Sequence, residues 1–219
     1  MEYTPASRES FLPVSRQDME ERGWYYCDFL LLSGDAYIDH PSFGAAIISR
    51  VLEKDGFRVA VCAQPDWNDA GSLLPFGRPR YGVLISPGNV DSMVANYTVA
   101  RRKRTEDAYA PGGKTGHRPD RTVNVYCNLA RRAFPDIPLI IGGIESSLRR
   151  FAHYDYWDDG VRRSILEDSG ADLLIYGMAS APSARSQKGS KKAKRSTLSP
   201  MCAAPAICPR PPTAILRGR

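Results

Sequence analysis

The sequence predicts an α/β domain over residues 11–178, built on a doubly wound, mostly parallel sheet of about five strands, and a disordered tail over residues 179–219. Three observations carry this. Short, continuous apolar runs recur along the body, segments of helical period separate them, and the composition changes abruptly after Met178. Buried parallel strands read as unbroken apolar runs, and their alternation with helices specifies right-handed crossovers.

The first run, Asp28-Phe-Leu-Leu-Leu-Ser33, ends at Gly34. Ser42 is placed to cap a helix reaching about Lys54, with Phe43, Ile47 and Val51 at helical spacing and Gly56 as its stop. Arg58 to Ala63 is the second strand and Tyr81 to Ser86 the third. A helix from about Asn124 to Ala133 leads through Pro135 and Pro138 into the fourth strand, Leu139 to Ile141. Val161 to Asp168 reads as a helix and Asp172 to Tyr176 as the fifth strand. Arg101 to Arg121, with its Arg101-Arg-Lys-Arg104 run and Pro111-Gly-Gly113, fits no element and reads as a long ordered loop, a feature often tied to function.

The tail has no aromatic and no acidic residue, but six prolines. It cannot bury enough apolar area to offset its ordering entropy. All 24 acidic residues lie before it, whereas nine of the 30 Lys and Arg lie within it. The body therefore carries 21 − 24 = −3, and the net charge of +6 belongs to the tail. Nucleic-acid binding would rest on Lys188 to Arg195 and Arg101 to Arg104 alone, weak and without sequence preference, so the charge balance argues against it.

The apolar runs are too short to span a bilayer, and Met1 to Pro5 has neither the basic start nor the apolar core of a signal peptide, so a cytoplasmic location is expected. The five cysteines show no CxxC spacing, which argues against a disulfide framework. No GxSxG, P-loop, HExxH or GxGxxG pattern occurs.

Open α/β sheets bind ligands outside the carboxyl ends of their strands. Polar residues cluster at these places: Asp35, Asp39 and His40 after the first strand, Asp66 after the second, Asn89 and Asp91 after the third, and Gly142, Gly143, Glu145, Arg149 and Arg150 after the fourth. These are the substrate- or anion-binding candidates; no catalytic and no metal-ligating residue is assigned. Asp35, Asp39 and His40 either approach one another, needing further ligands to hold a metal, or cap turns separately. Gly142-Gly143 either turns backbone N–H groups towards an anion or accommodates a tight strand-to-helix turn. Glu145 suits a helix N-terminus, Arg149 and Arg150 suit an anion or surface ion pairs, and His153-Tyr-Asp-Tyr-Trp157 suits a docking surface or partial core.

Phe11-Leu-Pro-Val-Ser-Arg16, Gly34 to Gly44, Ala63-Gln-Pro-Asp-Trp67, Gly88-Asn-Val-Asp-Ser-Met93, Gly142 to Arg150 and Ala152-His-Tyr-Asp-Tyr-Trp157 together resemble the N-terminal domain of the YgiQ family of radical SAM proteins, from about Phe11 to Met178. The resemblance implies a flavodoxin-like or cobalamin-binding-like module preceding a radical SAM barrel. There a CxxxCxxC motif would hold a [4Fe–4S] cluster that cleaves S-adenosylmethionine. That barrel is the implied intramolecular partner, and the substrate is an unknown small molecule or macromolecule.

The chain departs from the family in its cysteines and in its continuation after Met178, and it also lacks the cobalamin motif. It has no CxxxCxxC, so no cofactor is expected in it and radical chemistry is not expected of it alone. Cobalamin modules carry DxHxxG, whereas here Asp39 and His40 are adjacent and His40 lies four before Gly44. Family members also continue Gly-Met-Gly-Glu where this chain has Gly177-Met-Ala-Ser-Ala-Pro182. The codons GGC-ATG-GGC-GAG-CGC-CC, losing one G, read GGC-ATG-GCG-AGC-GCC-C. A one-base deletion near codon 179 is therefore expected, with 179–219 out of frame. Two functions are in contention: an accessory, substrate-side N-terminal domain of a radical SAM iron–sulfur protein, and a free-standing small-molecule or anion-binding domain.

Overall fold

The computed structural model describes residues 11–177 together with Ala206–Ile207. The rest of the tail expected to be disordered lies outside the described residues.

The short helix α1 (Arg16–Glu21) opens on a reciprocal cap: Ser15 Oγ accepts from the Asp18 N–H at 3.1 Å, and Asp18 accepts from Val14 N–H at 3.0 Å. Then follow β1 (Phe29–Ser33), α2 (Gly44–Lys54), β2 (Val59–Ala63), β3 (Gly82–Ser86), α3 (Ser92–Asn96), α4 (Thr122–Ala133), β4 (Leu139–Ile141), α5 (Gly143–Leu148), β5 (His153–Asp155), β6 (Gly160–Arg162), α6 (Ile165–Ser169) and β7 (Leu173–Leu174). The sheet order is β2-β1-β3-β4-β7, all parallel, with β8 (Ala206–Ile207) antiparallel to β7 at the edge. This is the flavodoxin-like order, which reverses between β1 and β3.

Period-two alternation explains why the runs are apolar on both faces. Leu30, Leu32, Ala60, Cys62, Val83, Ile85, Leu139 and Ile141 point to the face covered by α4, where Tyr126, Leu129 and Ala130 are fully buried. Phe29, Leu31, Val59, Val61, Leu84 and Ile140 point to the other face, beneath Leu52 of α2. Each strand thus feeds two cores, as expected of a sheet covered on both sides.

Three readings are corrected. Helix α2 buries Ala46, Ser49 and Leu52, so Phe43, Ile47 and Val51 lie on its flank. Its N-cap is Phe43 rather than Ser42, and no side chain of its own caps it. The segment read as a helix from Val161 starts as β6, which pairs antiparallel with β5 in a hairpin; Asp159 takes a positive φ of 50° at the turn, and α6 starts only at Ile165. Ser164 Oγ accepts from the Leu166 N–H there, which sets the helix start.

Candidate functional site

In folds of this topology ligands bind at the rim where the strand order reverses, here the carboxyl ends of β1 and β3. Asp35, two residues past β1, is buried there. Its Oδ2 accepts from the Asn89 N–H at 2.7 Å, and its Oδ1 accepts from Arg118 Nη2 at 2.6 Å. Gly88 sits so close that an added Cβ would fall 2.0 Å from Asp35 Oδ1, so no side chain fits at that position.

Arg118 comes from the long loop between α3 and α4. Its side chain is completely buried, and besides Asp35 it donates to the Pro87 carbonyl at 2.6 Å and faces Asp107 at 3.4 Å. The loop is ordered by bridges between Tyr97 and Lys103 and between Glu106 and Lys114, and by a hydrogen bond from Ala36 N–H to the Tyr109 carbonyl at 2.8 Å. One guanidinium therefore fills the switch point with two carboxylates around it. Burial pushes the Asp35 carboxyl above its ordinary value, while Arg118 and the Asn89 N–H oppose that rise.

Asn89 also supplies the cap that α2 lacks. Its Oδ1 accepts from the Gly44 N–H at 3.4 Å and its Nδ2 donates to the Ser42 carbonyl at 3.1 Å. Asp91 caps α3, accepting from the Met93 N–H at 3.0 Å, and pairs with Arg149. Glu145 turns inward instead of serving its own helix. One oxygen accepts from the Ser92 N–H and the other from the Val123 N–H, each at 3.1 Å, so a single carboxylate caps α3 and α4. Burial raises its pKa, against those two bonds.

The remaining candidates do not converge on one centre. Asp39 pairs with Arg50, and His40 is exposed, with Nδ1 accepting from the Ser42 N–H at 3.1 Å. Asp66 closes a local turn onto the Asn68 N–H at 3.0 Å. Gly142 donates to the Ile85 carbonyl at 3.0 Å, and Gly143, at φ +82°, packs on Pro87. The pair serves the tight turn, and α5, six residues long, gives it no anion site. Arg150 lies 4.8 Å from the Phe151 ring and 5.4 Å from that of Tyr176. In the basic run, Arg101 stacks 4.3 Å from the Tyr156 ring and Arg104 donates to the carbonyls of Val94 and Tyr97.

Sequence reasoning missed Arg118 and Asp107. The loop's length was the only signal, and it did not name the residue that matters. It missed the hairpin network too, in which Arg121 holds Asp155 at 2.9 Å and Asp158 at 2.8 Å, and Arg162 holds Asp158 at 2.8 Å.

The model of the family described as Radical SAM N-terminal matches residues 11–203. The chain belongs to this Radical SAM N-terminal family. A UPF0313 protein of Clostridium botulinum (strain 657 / Type Ba4) is 60% identical over 176 residues, which is 80% of this chain and 28% of that protein. A UPF0313 protein of Clostridium perfringens (strain SM101 / Type A) is 58% identical over 173 residues, 79% of this chain and 26% of its own length. The chain thus spans about a quarter of the length of these relatives.

The family implies an iron–sulfur cluster, and the described residues do not fit one. Cys27, Cys62 and Cys127 are separate and buried, and burial pushes each thiol up to about 12, whereas cluster ligation needs thiolates. Among the described residues no three His, Cys, Asp or Glu side chains gather around a possible metal, and no helix is long and apolar enough to cross a membrane.

Proposed function

We propose that this Radical SAM N-terminal domain is an accessory, substrate-side module, acting through its surface while the cluster and S-adenosylmethionine belong to the remainder of the full-length protein. The observation that carries this reading is Arg118, which occupies the switch point with hydrogen bonds to Asp35 and Pro87. A ligand-binding domain of this topology needs that crevice open. The reading of a free-standing small-molecule or anion-binding domain loses its anchors, since Asp35, Asn89, Asp91 and Arg149 spend their hydrogen bonds on one another and on helix ends.

The 219-residue chain and the intact Clostridium botulinum relative, both purified anaerobically and reconstituted with iron and sulfide, test this. The relative is expected to take up iron, show iron–sulfide charge-transfer absorbance and cleave S-adenosylmethionine; the chain is expected to do none of these. A stable cluster in the chain by itself, or none in the relative, overturns the reading.

A further inference from the structure

Large apolar side chains on the surface of this domain are concentrated along one stretch of the rim. Val94 of α3, Val99 just beyond it, Leu148 of α5, Phe151, Tyr154 of β5 and Val161 of β6 are 59, 90, 62, 69, 60 and 79% exposed. Contiguous apolar surface of this kind marks an interaction site more often than chance exposure does. Helix α5 shows how the sequence produces it. Glu145 and Ser146 face the interior, which leaves Ile144 and Leu148, one turn apart, on the outward face. The helix is thus apolar on the side where a lone domain would carry charge.

The surface is preformed. Between α3 and the β5–β6 hairpin lies a cleft of about 460 Å³, lined by Val94, Val99, Leu148, Tyr154 and Tyr156 together with the paired Asp91 and Arg149. The hairpin is held by the Arg121 and Arg162 ion pairs with Asp155 and Asp158, and Trp157 packs on Tyr97 with ring centroids 4.6 Å apart. Side chains fixed in this way lose little entropy when covered.

The path of the chain indicates what covers it. After β7, Tyr176 lies against Arg150, which also faces Phe151, and the Gly177 N–H donates to Ser147 Oγ on α5 at 3.4 Å. The polypeptide therefore leaves the domain alongside this same surface. In the Clostridium botulinum relative the matched segment is 28% of the length, so most of that protein lies outside it, and the matching family is an N-terminal one. A domain tethered at that exit meets the surface at an effective concentration in the millimolar range, enough for modest apolar contact to hold it.

We infer that the apolar rim of α3, α5 and the β5–β6 hairpin is the seat of the domain that follows in the full-length protein, closing the two into one body. This rests on the accessory-module reading above and names its partner. The test compares the 219-residue chain with a chimera in which its residues 1–177 replace the matched segment of the Clostridium botulinum relative. Hydroxyl-radical footprinting is read at Leu148, Phe151, Tyr154 and Tyr156, and iron is measured on the same samples. Oxidation of the four side chains is expected to fall at least about fivefold in the chimera, while Tyr25, exposed elsewhere, stays unchanged. Equal labelling in both proteins overturns the inference. So does protection in the chain alone that grows with its concentration, which would make a second copy the occupant. A chimera with iron and an unprotected rim defeats only the docking; a protected rim without iron defeats only the accessory-module reading. Should the chimera not fold, hydrogen exchange in the intact relative against its own matched segment gives the same comparison, and equal exchange of the peptides corresponding to residues 144–161 counts against docking.

Discussion

Arg118 and Asp35 lie 83 residues apart in the chain and meet at 2.6 Å in the interior, joining the long loop to the end of the first strand. Breaking a buried pair by removing one partner leaves the other charge uncompensated. Arg118→Met is expected to lower unfolding free energy by about 3–5 kcal/mol, because both Asp35 and Asp107 are left behind. Urea denaturation checks this. Adding Asp35→Asn should recover part of the loss, a non-additivity of about 0.5–3 kcal/mol between contacting residues.

Glu145 makes a sharper case, since its two oxygens accept from two different helices. Glu145→Ala leaves two buried N–H groups without acceptors and should cost about 2–6 kcal/mol at about 1–3 per group. Glu145→Gln retains one acceptor oxygen and should fall between wild type and Ala, read from denaturation midpoints at constant slope.

Gly143 and Gly44 should respond in opposite directions to alanine. At Gly143, φ is +82° and a Cβ would stand 2.9 Å from Pro87 Cδ, so Gly143→Ala is expected to destabilise by more than about 1–2 kcal/mol. Gly44 opens α2 with nothing within 4 Å of an added Cβ, and Gly44→Ala should be neutral or stabilise by up to about 1 kcal/mol. Thermal melts of the two variants decide it.

The thiols of Cys27, Cys62 and Cys127 are buried and pushed up to about 12. They should resist iodoacetamide at neutral pH in the native chain and react readily in denaturant, where an ordinary thiol value near 8.5 returns. Mass spectrometry of the tryptic peptides reports each site.

Asp155 contributes to the acid limb of the pH dependence. Burial works against its charge, yet the Trp157 N–H and the Arg121 guanidinium hold its pKa below the ordinary 3.8. A depressed folded pKa contributes stability that is fully present above the unfolded value and lost as pH falls through the folded one. Denaturation midpoints should therefore drop below about pH 4, and Asp155→Asn should flatten that acid limb.

The five parallel strands were legible because each feeds two cores and so is apolar through its centre. The outward faces were harder. Phe43, Ile47 and Val51, in steps of four, and Ala46, Ser49 and Leu52, in steps of three, are both helical stripes, and only the packed sheet decides which one turns inward. Only the second strand of the hairpin falls within the helical reading of Val161 to Asp168, and the turn signal that separates it is Asp158-Asp-Gly160. At the rim, strand-end logic points to Asp35 and Asn89, which meet at the switch point, and to Asp91, Glu145 and Arg149 close by. It could not supply Arg118, because a contact across 83 residues leaves no local pattern.

The filled switch point also bears on how the domain behaves inside a cell. A protein that borrows stability from a ligand gains RT ln(1 + [L]/Kd), so its melting point follows the supply of that ligand. Here the missing group is covalently attached as Arg118 and is present at every concentration of everything else. The switch point should therefore add no dependence of the melting point on metabolite levels.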